Sequence, residues 1–120
     1  MSSYSYSQLL TNESEMKKTQ EELKAGILIA LAHPNRIRIL EFLKNGVKCN
    51  CEIAPELDLE QSNLSRHMKI LVQEGIVISW KEGLRVNYKV ADKRIFDIVN
   101  LAGDVAHKEA KKRIEVLEEA

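Results

Sequence analysis

The sequence predicts a mainly α-helical domain with one β-hairpin wing, an α+β fold, on three observations. Apolar residues recur at helical spacing through most of the 120-residue chain. Between Ile76 and Val90 that period gives way to alternation, the pattern of a half-buried strand pair. His33-Pro34, Gly46 and Gly75 then divide the helical stretches into short pieces.

Residues 1–12, which open MSSYSYSQLLT, are polar and read as a flexible N-terminal arm. Residues 13–120 then make one domain of ordinary size. Its first helix starts near Asn12 or Ser14, carries Glu15 in its first turn and spaces Leu23, Ile27, Ala30 and Leu31 helically. His33-Pro34 ends it, and Pro34 suits the first turn of the next helix, where a missing N–H costs nothing. That second helix covers Asn35 to Asn45, turns Ile37, Leu40, Phe42 and Leu43 inward, and stops at an αL Gly46. A short third helix follows the two cysteines, with Glu52, Ile53 and Leu57 in it and Asp58 near its end.

The fourth helix runs from about Gln61 to Glu74, buries Leu64, Met68, Leu71 and Val72, and ends at Gly75. Ile76, Ile78 and Trp80 then alternate, Lys81 to Gly83 turns the chain, and Val86, Tyr88 and Val90 alternate back. Their alternating positions make Trp80 and Tyr88 hairpin core rather than stacking groups. From about Asp92 a last helix reaches the C-terminus, with an apolar stripe of Ile95, Ile98, Val99, Ala102, Val105, Ala106, Ile114 and Leu117. Helices two to four make a helix-turn-helix, and the hairpin after them makes a wing.

With 44% apolar residues the chain can build a modest core, and its small size favours a dimer. Lys plus Arg and Asp plus Glu both total 18, so net charge says nothing of nucleic acid and local distribution must decide. From Ser62 to Lys89, Arg66, Lys69, Lys81, Arg85 and Lys89 stand against only Glu74 and Glu82. Each phosphate that such groups neutralise adds salt-dependent affinity. At the start of the fourth helix Gln61, Ser62, Asn63, Ser65, Arg66 and Lys69, with His67 beside them, are the groups to meet DNA. Arg66 can fork onto guanine and Asn63 onto adenine. A solvated amphipathic helix has the same pattern, and Lys81 and Arg85 flanking the hairpin turn shift the balance toward DNA. There is no secretory leader pattern and no apolar run near the roughly 18 residues that cross a bilayer. The expectation is a cytoplasmic protein with no membrane partner and no small organic substrate.

The segments LAHPNRIRILEFL, CNCEIAPELDLEQSNLSRHMKILVQEGIV and WKEGLRVNYKV together resemble the ArsR/SmtB family of winged-helix transcriptional repressors. The resemblance covers about Leu28 to Val90, in the family's order. It implies a homodimer paired through its first and last helices. It also implies double-stranded operator DNA held by the Gln61 to Glu74 helix and the wing, with release when an inducer binds. In the arsenic- and cadmium-sensing branch a Cys-x-Cys opens the third helix, and Cys49-Asn50-Cys51 stands at that place. Such relatives often have a third Cys where this chain has Ala54.

The geometry of the cysteines agrees with that place. Mid-helix residues two apart point about 200° away from each other, so both thiols face one side only on the extended backbone of a helix start. Pro55 fits a helix that starts near Asn50 or Cys51, and the dipole there favours thiolate. Three roles stay open for the pair: binding a soft inducer such as As(III), Cd(II) or Zn(II), redox sensing through a disulfide, or no sensing at all. No cofactor is required. The family's second metal site, on the last helix, has Asp104 and His107 as its counterparts here, spaced Asp-x-x-His rather than Asp-x-His. A local pair is the plainer reading of them, as a helix break is of His33. A thiol enzyme is disfavoured, because the cysteines lack Cys-x-x-Cys spacing and an adjacent base.

Overall fold

The structure, a computed structural model, describes residues 17–119. The arm expected over residues 1–12 and the helix start expected near Asn12 or Ser14 lie outside them. Helix α1 runs Gln20–Leu31, because Thr19 is extended and its Oγ1 accepts the N–H of Glu22 at 3.1 Å. His33 caps α2, Pro34–Phe42, its ring Nδ1 accepting the N–H of Asn35 at 3.0 Å. The helix break at His33-Pro34 is therefore built by the side chain the sequence assigned to it. Beyond α2 a 3-10 turn, Leu43–Asn45, leads to Gly46. Gly46 has φ 121° and ψ −163°, so it is extended with positive φ rather than αL, a region open essentially to glycine alone.

Next comes a strand that periodicity did not suggest, β1, Lys48–Cys49. Helix α3, Asn50–Glu56, follows directly, and α4 covers Gln61–Gln73. The hairpin is β2, Val77–Glu82, and β3, Arg85–Val90, and α5 spans Arg94–Glu119. Asp92 starts α5: its Oδ1 accepts the Arg94 N–H at 2.9 Å, and its carboxylate pairs with the Arg94 guanidinium at 2.6 Å. The Arg94 side-chain hydrogen bonds hold that carboxyl down to about 2.

The sheet is antiparallel with order β1-β3-β2. Lys48 faces Tyr88, Cys49 faces Asn87, and Val77 faces Val90. This register corrects the sequence reading of the hairpin. Val77 and Val90 are buried together, so Ile78 and Trp80 fall on the opposite face, 47% and 38% exposed. Ile76 is buried one residue before the strand begins. On β2 the apolar alternation is thus one residue out of phase with the core, while Val86, Tyr88 and Val90 on β3 are in phase, and a one-residue slip moves every side chain of a strand to the other face. Tyr88 is core as expected; Trp80 is not. The turn also shifts, to Gly83-Leu84, where Gly83 has φ 64°.

Ile39, Leu40, Ile53, Leu64, Met68, Leu71, Ile76 and Val77 form the centre of the core, each 1% exposed or less. Helices α2 and α3 both pack on α4 there, and α4 also packs on β2. Helix α5 departs from that body. At 26 residues it is about 39 Å long at 1.5 Å per residue. It buries Ile95 and half-buries Ile98 and Val99, but Leu101, Val105, Ile114 and Leu117 stay 56–74% exposed. Its predicted stripe is real, and most of it stays exposed, with nothing among the described residues packed on it.

Candidate nucleic-acid interface and thiol site

Helix α4 sorts its residues by periodicity. Leu64, Met68 and Leu71 anchor it in the core, which leaves Gln61, Ser62, Ser65, Arg66 and Lys69 exposed and Asn63 half-buried. Lys81 and Arg85 are exposed on the hairpin, and Leu84 at its tip is 102% exposed. Between the start of α4 and β3 lies a cleft of about 340 Å³ lined by Asn50, Gln61, Ser62, Ser65, Val86 and Tyr88. The fold thus sets a row of small polar, amide and basic side chains beside a basic hairpin. Such groups position a protein on phosphates and read base edges. The amide N–H groups that open α4 add partial positive charge at the same end.

His67 departs from the sequence expectation. It is 8% exposed, on the inward side of α4, with its ring 4.5 Å from that of His33. Burial lowers its pKa, and His33, Arg36 and Arg66 act in the same direction. Arg36 explains the site. Its Nε donates to the carbonyl of Ala30 at 2.6 Å and its Nη2 to that of Ile29 at 3.4 Å, while Nη1 lies 3.4 Å from His67 Nδ1. One guanidinium therefore closes the C-terminus of α1, where cations are favoured, and meets the neutral ring from α4. Arg38 does similar work below the helix-turn-helix, donating to the Leu57 carbonyl at 3.0 Å where α3 ends. Neither arginine stands out in the sequence, because their partners are carbonyls of other elements.

The two cysteines meet at the start of α3. Cys49 ends β1 with extended backbone, φ −90° and ψ 162°, and its sulfur is bonded to that of Cys51, with the Cα atoms 5.1 Å apart. That separation lies within the ordinary range for bonded cysteines. Cys49 is buried and Cys51 exposed. The Cys49 N–H donates to Glu52 Oε1 at 3.1 Å. Asn50, between them, accepts the Val86 N–H on its Oδ1 at 3.1 Å, and its carbonyl accepts from Gln61 Nε2 at 3.5 Å. The sequence marked Asn50 only as the residue between the two cysteines and a candidate helix start.

Asp104 and His107 stand exposed one turn apart on α5. Among the described residues no group of three or more His, Cys, Asp or Glu side chains gathers closely enough to hold a metal ion. No described helix is long and apolar enough to cross a membrane.

Known proteins agree with this architecture. The family profile described as "Bacterial regulatory protein, arsR family" matches residues 33–79. A probable mercury resistance operon repressor of Streptomyces lividans is 32% identical over 89 residues, 74% of this chain and 71% of that one. An arsenical resistance operon repressor of Staphylococcus xylosus is 33% identical over 79 residues, 66% of this chain and 75% of that one. The crystal structure of Mycobacterium tuberculosis Rv0081 superposes with a TM-score of 0.71 at 31% identity, covering 82% of this chain and 99% of that chain. With the helix-turn-helix and wing in place and relatives that regulate transcription rather than catalyse, the chain belongs to the ArsR family as a winged helix-turn-helix transcriptional repressor.

Proposed function

We propose that the chain is a cytoplasmic homodimeric repressor that grips double-stranded operator DNA and lets go when Cys49 and Cys51 engage a soft metal or metalloid ion. As(III) and Cd(II) suit thiolates best, and Zn(II) is the harder alternative. The observation that carries this reading is where the sulfurs lie: together, at the start of α3, the helix packed against α4. The likeness to repressors named for mercury and arsenical resistance supports it. Gln61, Ser62, Asn63, Ser65, Arg66 and Lys69 contact the DNA from α4, and Lys81 and Arg85 from the wing; His67, turned inward, supports the helix instead. The open stripe of α5, with exposed Leu23, Leu28 and Ile29 on α1, supplies the dimer surface.

Two thiolates fill part of an ion's coordination sphere, with Ala54 where related sensors carry a third sulfur. The remaining ligands come from the partner protomer or from residues before Lys17. Asp104 and His107, exposed one turn apart on α5, are too few for a zinc site, since structural zinc takes four ligands. Neither DNA binding nor folding needs a cofactor in this scheme. Coupling is mechanical: a shift at the start of α3 moves α4 and changes the spacing of the two DNA-reading helices.

The bond between the two sulfurs favours a second reading, redox sensing by the same pair. A peroxide takes two electrons and two protons from the thiols, leaving a disulfide and water, and a dithiol reverses the step.

Anisotropy of a labelled operator duplex at fixed salt tests both readings, with As(III), Cd(II), Zn(II), peroxide and dithiothreitol added in turn. The Cys49→Ser/Cys51→Ser variant is expected to bind DNA like wild type and ignore every addition. A variant that loses DNA binding together with the response counts against the scheme, as does a wild-type protein blind to duplex DNA at low salt.

A further inference from the structure

The geometry points to Asn50 as the positioning residue through which bridging of Cys49 and Cys51 reaches the DNA-holding elements, an inference that rests on the thiol reading above and names its route. Any link between the two sulfurs, a direct bond or a shared ion, closes a small ring that contains the whole backbone of Asn50. The peptide bonds of that ring are stiff, so forming or opening it acts on the few rotatable torsions around Asn50. Cys49 is the held side of the ring, buried, paired with Asn87 across the sheet and bonded to Glu52. Cys51 is exposed and is the side that ions and oxidants reach.

Asn50 touches both DNA-facing elements at once. Its side-chain oxygen takes the N–H of Val86, next to Arg85 on the wing, at 3.1 Å. Its carbonyl takes Gln61, the first residue of α4, at 3.5 Å. The Val86 bond has a particular origin. The β1–β3 ladder runs Lys48 to Tyr88 and Cys49 to Asn87, so the next antiparallel rung would set Asn50 opposite Val86. The backbone has already turned into α3 there, and the side-chain amide supplies the acceptor in its place. A rung made by a side chain breaks when the backbone under it rotates.

Two features let the start of α3 move. Pro55 has no N–H to give the Cys51 carbonyl four residues back, so the first turn lacks one helical bond. The cleft of about 340 Å³ beside Asn50 gives its side chain room to swing. With the sulfurs joined, Asn50 holds the wing and α4 to α3, a tied arrangement with low DNA affinity. With the thiols open, the tie relaxes and both elements adjust to the duplex.

The test uses the full chain with its operator duplex, under dithiothreitol, peroxide and Cd(II) separately, in wild type, Asn50→Ala and Asn50→Asp. Wild type is expected to lose about tenfold in affinity when bridged. Asn50→Ala should bind as the open wild type does and lose less than about twofold on bridging, while Asn50→Asp, which keeps the acceptor oxygen, should respond like wild type. An Asn50→Ala protein that responds as fully as wild type overturns the inference. A wild type that responds no more than Cys49→Ser/Cys51→Ser overturns the thiol reading instead. Amide exchange at Val86 decides the coupling without DNA, and decides it even if Asn50→Ala folds poorly. Exchange in wild type should be slower in the bridged form than in the open one, and equal rates in the two forms refute the tie.

Discussion

Replacing Leu101 and Val105 of α5 by alanine is expected to split the proposed dimer and leave the protomer intact. The two residues lie one turn apart, 63% and 70% exposed, so neither supports the fold of its own chain. A fully buried side chain of this kind contributes about 1.5–3 kcal/mol. Discounting for the part already covered, and for the methyl that alanine keeps, leaves about 1 kcal/mol each. A two-fold interface presents each residue twice, so the double substitution removes about 4 kcal/mol. At 1.4 kcal/mol per tenfold, that weakens dimerisation about a thousandfold. Sedimentation equilibrium across protein concentration reads the constant directly, and far-UV circular dichroism checks that the helices persist. Operator affinity should fall in parallel, because one protomer holds only one half-site. A dissociation constant within about threefold of wild type would refute the assignment of α5 as the dimer surface.

Arg66→Ala and Arg85→Ala should each weaken operator binding and lower the slope of log affinity against log salt by about 0.9 for every phosphate contact removed; an unchanged slope places that residue off the DNA. The lowered pKa of His67 means that the folded state holds fewer protons there than the unfolded chain, whose histidine titrates near 6.5. Stability from this residue is therefore complete above pH 6.5 and declines as pH falls from there toward the folded pKa. Urea midpoints between pH 7.5 and 5 should fall in wild type and fall less in His67→Gln, and identical pH profiles would sink the point.

Much of the architecture was legible because period and punctuation agree along the chain. Pro34, Gly46 and Gly75 fall where helices start or stop, and of the α4 residues read as buried Leu64, Met68 and Leu71 are, with Val72 half-buried against the core. Errors arose where a local rule met a tertiary one. Trp80 belongs to a visible alternation, but Val77 pairing with Val90 sets which phase of it meets the core. His67 looks like one more polar residue beside the exposed row, and only Arg36 and His33, arriving from other elements, give its ring an interior place. Strand β1 has two residues, too few for any period to show.

By itself the order of residues determined the helix-turn-helix, the wing, the basic excess over Ser62–Lys89 and the placing of two thiols at a helix start. These are local matters: spacing, caps, breakers and charge are written in consecutive residues. Only the tertiary structure decided that Asn50 bridges α3 to the wing, that Arg36 closes α1 over His67, and that the α5 stripe from Leu101 onward stays exposed. Each depends on residues far apart in the chain meeting, or failing to meet, and hydrogen bonds and burial answer to distance in space, not in sequence.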